Sequence, residues 1–129
     1  MIKIYDKNFI IHTVPLEKFY SEGRNFILEI DDTTEQRKKI IFEQYGAIKL
    51  IPSDAIKELD YRCPEFKKGE FPLVIMMDDD SKWIKDIDRK CVKFNMSSFD
   101  NDGLYNHYIM FIGDFFFEII ARKCTVENI

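Results

Sequence analysis

Alanine is nearly missing from this chain: Ala47, Ala55 and Ala121 stand against 12 phenylalanines and 6 tyrosines in 129 residues. A helical bundle draws on small and straight-chain residues, whereas aromatic and β-branched ones fit a pleated, half-buried surface, so the composition leans towards sheet. Cysteine is scarce as well. Cys63, Cys91 and Cys124 are odd in number, widely spaced, and match neither a CxxC pair nor a zinc spacing; no disulfide framework or zinc module is implied, and a reducing compartment fits. Apolar runs stay far below membrane-spanning length, and the opening MIKIYDKNFI carries charge at Lys3, Asp6 and Lys7 instead of a leader's unbroken apolar stretch. The expectation is a cytoplasmic chain without membrane contact.

Clustered positive charge is also lacking. The 19 basic residues are scattered among 23 acidic ones, for a net charge of −4, and counterion release from phosphates needs Lys and Arg gathered on one stretch, so no nucleic-acid partner is expected. No P-loop, GxGxxG fingerprint, nucleophile elbow or HExxH occurs. Many enzyme classes thereby lose their usual support, although catalytic groups can converge from distant positions.

What the chain does have is apolar mass. Hydrophobic residues make up 46% and aromatics 15%, enough for folding to remove about two thirds of the unfolded surface from water. A single domain over residues 1–129, folding without metal or disulfide staples, is the natural reading.

Along the chain, Ile2 to Tyr5 and Phe9 to Val14 read as short strands around the turn-prone Asp6-Lys7-Asn8, a candidate first hairpin. LEKFYSEGR then reads as a helical turn or loop ending at Gly23. From Asn25 to Asp31 apolar and polar residues alternate with the period of a half-buried strand. The polar stretch 32–38 turns the chain, and KIIFEQYGAIKLI gives a further β pattern with a bulge or bend at Gly46, closed by Pro52. One or two helical turns are expected from Ser53 or Asp54 to Leu59, then an irregular connection over 60–72. Leu73 to Met77 suggests a buried strand. Trp83, Ile84, Ile87 and Cys91 recur at helical spacing, which predicts an amphipathic helix over about 81–91 behind the acidic triplet Asp78-Asp79-Asp80. Cys91 to Met96 then suggests a return to strand, followed by the polar loop SSFDNDG.

The clearest element comes last. Tyr105 to Ile112 and Phe115 to Ala121 flank Gly113-Asp114, a dipeptide suited to a two-residue hairpin turn. That turn sets the register: Ile112 faces Phe115, Met110 faces Phe117 and Tyr108 faces Ile119 on one apolar surface, the predicted core. The other surface pairs Phe111 with Phe116, Ile109 with Glu118 and His107 with Ile120, still too apolar to lie open to water, so the rest of the fold or a partner is expected to cover it. The expected fold class is α+β, mostly antiparallel β, with about six to eight strands in a twisted sheet or open barrel and one or two short helices.

In that register His107 and Glu118 are diagonal neighbours, within reach of a shared hydrogen bond. A polar structural pair is the commoner outcome, and a catalytic or ligand role would need a nucleophile or oxyanion donors nearby, which no motif supplies. The triplet Asp78, Asp79 and Asp80 reads either as a solvated helix entry or as a contact for a basic partner, and three consecutive carboxylates seldom converge on one ion. SSFDNDGLYNHYI mimics an EF-hand at Ser98, Asp100, Asp102 and Gly103, but Ile109 falls where a bidentate carboxylate is required. Cys91, Cys124 and Trp83 read first as packing residues. No catalytic residue, metal ligand or cofactor is assigned.

The stretch HYIMFIGDFFFEIIA resembles the C-terminal end of small uncharacterised bacterial proteins, with a His-Tyr strand, a short turn and an acidic residue before Ile-Ile. The preceding KWIKDI is similar in style. Some acidic, aromatic-rich proteins of this appearance act as immunity proteins, so the resemblance implies a toxin-neutralising role without identifying functional residues. The leading expectation is a non-enzymatic, protein-binding domain with Asp78, Asp79, Asp80, His107 and Glu118 as candidate binding residues. Two alternatives stand beside it: a small enzyme or ligand-binding domain with a pocket near His107 and Glu118, and a structural homodimer.

Overall fold

The computed structural model describes residues 1–52, 73–94 and 103–129. In chain order these form β1 (Ile2–Asp6), β2 (Lys18–Glu22), β3 (Asn25–Asp31), β4 (Arg37–Glu43), β5 (Ala47–Pro52), β6 (Ile75–Asp78), α1 (Lys82–Lys93), β7 (Asn106–Ile112), β8 (Phe115–Ala121) and β9 (Lys123–Asn128). The strands make two sheets, ordered β1-β6-β7-β8-β5 and β2-β3-β4-β9, and every strand pair is antiparallel. The α+β class with a dominant antiparallel sheet holds. Neither sheet closes into a barrel: each keeps two end strands, and the two are layered around a common core.

The β7–β8 hairpin has the expected register at all three inner pairs, Ile112 with Phe115, Met110 with Phe117 and Tyr108 with Ile119. Gly113 takes a φ of +54°, a backbone conformation that opens a tight hairpin turn and that a Cβ would strain. A Cβ there would also lie 3.3 Å from the Glu17 carboxylate. Tyr108, Met110, Ile112, Phe117 and Ile119 are buried against Leu28, Ile30, Ile40 and Phe42 of the four-stranded sheet, whereas Phe115, next to the turn, is only half-buried. Burial of each such aliphatic or aromatic side chain contributes on the order of 1.5–3 kcal/mol. Phe117 is the hub, its ring centroid 5.7 Å from Phe26, 5.8 Å from Phe42 and 6.2 Å from Phe19.

The chain first changes sheet between β1 and β2, and two later crossings share one corner. After β4 it crosses through Gln44 to Gly46 into β5, and after β8 it crosses through Arg122 into β9. Arg122 N–H donates to Glu43 O at 3.0 Å and Gly46 N–H to Ile120 O at 2.8 Å, so the two crossings brace each other. Gly46 is therefore a crossover between sheets and not a bulge within one strand. β9 pairs with β4 along its whole length; the polar-apolar mixture of its sequence carries no strand pattern that stands out beforehand.

Other expectations are corrected. The first hairpin does not form: β1 pairs with β6, bringing Ile4 opposite Met76, while Asp6 Oδ1 accepts from Asn8 N–H to turn the chain away. Phe9 and Ile11 are buried in the core from a loop, whose amides find single partners, Ile11 N–H to Leu73 O and His12 N–H to Asp31 O. LEKFYSEGR contains strand β2 and not a helical turn, because Lys18–Glu22 pairs fully with β3 across Gly23-Arg24 and Phe19 gains the aromatic core. α1 runs on to Lys93 and ends at Phe94, whose N–H donates to Lys90 O at 3.2 Å, so Cys91 to Lys93 are helical and not strand. The expected helix after Pro52, the connection over 60–72 and most of SSFDNDG lie outside the described residues.

Candidate functional site

The outer face of the five-stranded sheet presents His107, Ile109 and Phe111 from β7 and Phe116, Glu118 and Ile120 from β8, since these alternate with the core-facing residues. Ile109, Phe111 and Phe116 are buried within one chain, packed with Val74 and Met76 and against Ile2 and Ile4. The second face of the hairpin is thus covered without a second copy.

At the other end of this face the surface turns polar. β6 places Asp78 opposite His107, and after Asp79 and Asp80 the chain enters the Ser81 cap of α1, so the helix start lies over the imidazole. Ser81 caps it: its Oγ accepts the Ile84 N–H at 3.1 Å, which answers one of the open amides of a first helical turn. The same Oγ is 2.8 Å from His107 Nδ1, and His107 Nε2 is 2.8 Å from Glu118 Oε1. An ionised Glu118 can only accept, so Nε2–H donates to it, while Nδ1 pairs with the Ser81 hydroxyl, whose oxygen also accepts the helix amide. One hydrogen-bonded chain runs from Ile84 through Ser81 and His107 to Glu118. Ser81 and His107 are 6% and 5% exposed, and burial in so dry a place makes each link costly to lose.

Trp83, on the first turn of α1, meets His107 edge-on at 5.2 Å. Its ring is capped by the Lys49 ammonium, 4.0 Å from the centroid, and Lys49 sits opposite Glu118 across the β5–β8 ladder. Between helix and sheet these groups line a cleft of about 290 Å³, with Asp78, Lys82 and Asp86 at its sides and His107, Glu118, Ile109 and Phe116 among its lining. Such a volume is at the lower end for small-molecule sites, which start at roughly 300 Å³.

Of the five candidate residues, three meet here: Asp78, His107 and Glu118 line the same cleft. Asp78 also borders a second cleft, of about 320 Å³, on the other side of the helix start, and there Asp79 and Asp80 lie with Asp88, Tyr105 and Asn106. Their charges are answered locally. Hydrogen bonding from the Met1 amino group holds the Asp79 carboxyl below the usual carboxylate range, and the Lys85 ammonium does the same for Asp80. The first turn of α1 itself contains no acidic residue. Among the described residues no group of three His, Cys, Asp or Glu side chains is arranged to hold a metal ion.

Sequence reasoning missed Ser81, Trp83 and Lys49 as members of the site. Ser81 had a legible signal, a capping residue just ahead of the periodic KWIKDI stretch. Trp83 was legible only as a packing residue, and Lys49 carried no signal, because its approach to Trp83 depends on β5 joining β8. Cys124 is buried in the core and burial pushes its thiol well above the ordinary range, whereas Cys91 on α1 is half-buried. No described helix is long and apolar enough to cross a membrane. Comparison of the chain with protein-family models, curated proteins and solved structures gives no match, and the functional reading rests on the chemistry of the cleft.

Proposed function

We propose that this chain is a non-enzymatic protein-binding domain of the bacterial cytoplasm, in the manner of an immunity protein that neutralises a toxin. The observation that carries the reading is the closed hydrogen-bond chain. A Ser, a His and a Glu in series have the composition of an acyl-transfer triad, but here the Ser81 oxygen caps a helix, its hydroxyl is buried, and both imidazole nitrogens are engaged. A nucleophile must be open to an incoming carbonyl, and a general base must be free to take its proton. The chain serves better as a rigid floor that holds Trp83 and the helix start in place, with the charged rim above it open to a partner. The net charge of −4 favours encounter with a basic surface.

Co-expression with the product of the adjacent reading frame, followed by size-exclusion chromatography with light scattering, tests this. The expected result is a stoichiometric complex that D86K disrupts while K123A, on the four-stranded sheet, preserves it. Labelling of Ser81 by a fluorophosphonate, or a turnover abolished by H107A in a chain that still folds, would overturn the reading. The second reading, a small ligand-binding or catalytic domain, is favoured by one observation: the cleft contains both His107 and Glu118.

A further inference from the structure

Lys49 already reports what the cleft attracts. Its ammonium rests on the face of Trp83, and among the described residues no carboxylate forms an ion pair with it. The indole face carries the negative part of the ring quadrupole and attracts a cation. Asp78, Asp86 and Glu118 bring three carboxylates into the lining of the cleft beside this ring, against the ammonium groups of Lys49 and Lys82. If Lys49 swings out to solvent, Lys82 is the one lysine left in the lining beside these carboxylates and the aromatic face, with the Met1 amino group 3.5 Å from Asp78. β5 is an end strand of its sheet and Lys49 is exposed, so that movement breaks no backbone pairing.

We infer that the cleft beside Trp83 is a receptor for an arginine side chain of the partner, and that Lys49 is its displaceable internal occupant. The inference rests on the protein-binding reading and names the chemistry of the contact. Guanidinium suits the site better than ammonium because it is planar, stacks on indole, is weakly hydrated, and can still donate along its edge to a carboxylate. Asp86 is the carboxylate that can receive it. It is 43% exposed in a pair with Arg89 on the same helix, and exposed pairs of this kind exchange at little cost. Asp78, by contrast, already accepts the Asp80 amide at 3.1 Å. Lys49 thus guards the ring until a better-fitting cation arrives.

Trp83 is the only tryptophan in the chain, so its emission reads the site directly. Titration of the full chain with Nα-acetyl-arginine amide should shift that emission saturably, while the uncharged citrulline analogue should not. K49A should tighten binding by roughly three-fold, the scale of one exposed cation–π contact removed from competition, and D86N should weaken it. Neither substitution touches the core, and urea midpoints would confirm unchanged folding. Equal binding of the citrulline analogue, or weaker or unchanged binding in K49A, would overturn the inference. Failure of the two proposals is separable. A partner complex that forms without any arginine-amide binding removes the arginine site alone, while arginine-amide binding with the expected K49A gain and no complex removes the partner reading alone.

Discussion

The two faces of the β7–β8 hairpin are built from the same strands and held by different physics. The inner face is apolar from Tyr108 to Ile112 and from Phe117 to Ile119, and it meets a second apolar sheet. Its attraction is non-directional and shared among many neighbours. The outer face is divided. Ile109, Phe111 and Phe116 pack at one end, and at the other His107 and Glu118 depend on a single chain of hydrogen bonds that starts in α1. An apolar face can lose an atom and relax around it, whereas a polar chain that loses one member leaves a buried group without a partner. The inner face therefore supplies most of the stability, and the outer face supplies a fixed geometry.

The largest expected effect tests the inner face. F117A removes the ring that touches Phe19, Phe26 and Phe42 and should cost about 3–5 kcal/mol, read as a lower urea midpoint with an unchanged slope; a loss no greater than that of a surface substitution would show that the two sheets do not share this core. A middle-sized effect tests the outer face. S81A removes the helix cap and leaves His107 Nδ1 without its partner, at an expected cost of about 1–3 kcal/mol, and S81T should recover most of it. Equal stability of S81A and the unchanged chain would mean that the network contributes nothing to the fold.

The smallest effect comes from outside both faces. Asp32 turns the chain between β3 and β4, where the Thr34 hydroxyl, the Gln36 and Thr34 amides and Lys38 hold its carboxyl below the ordinary range. A lowered folded value means the charged form is favoured by folding. Its contribution is complete above the unfolded carboxylate pKa and fades as pH falls through the lower folded one. D32N should therefore be less stable at neutral pH, and the gap to the unchanged chain should close on acidification. A gap that is constant across the acid limb would assign the loss to shape and not to charge.

The two faces also differ in how far the sequence disclosed them. Period-two alternation over Asn25 to Asp31 and the Gly113-Asp114 turn are local signals, and local sterics and burial enforce both. They were enough to place His107 beside Glu118, since cross-strand neighbours follow once a two-residue turn sets the register. Ser81 was within reach as a cap but not as the imidazole's partner, because that contact requires β6 to lie next to β7, joining segments 26 residues apart. Lys18–Glu22 misled for a related reason: five residues between Pro15 and Gly23 are too few to show a period of their own, and only pairing with β3 makes them strand.

By itself the sequence determined the antiparallel β character, the last hairpin with its inner and outer residues, and the helix that follows Asp78-Asp79-Asp80. Each of these depends on interactions between residues a few positions apart, whose geometry the backbone dictates. Tertiary structure alone decided that there are two sheets and not one curled sheet, that β1 seeks β6, and that Lys49 reaches Trp83. Those outcomes are choices among distant apolar surfaces of similar attraction. Hydrophobic burial has no direction, and only the assembled chain shows which surfaces met.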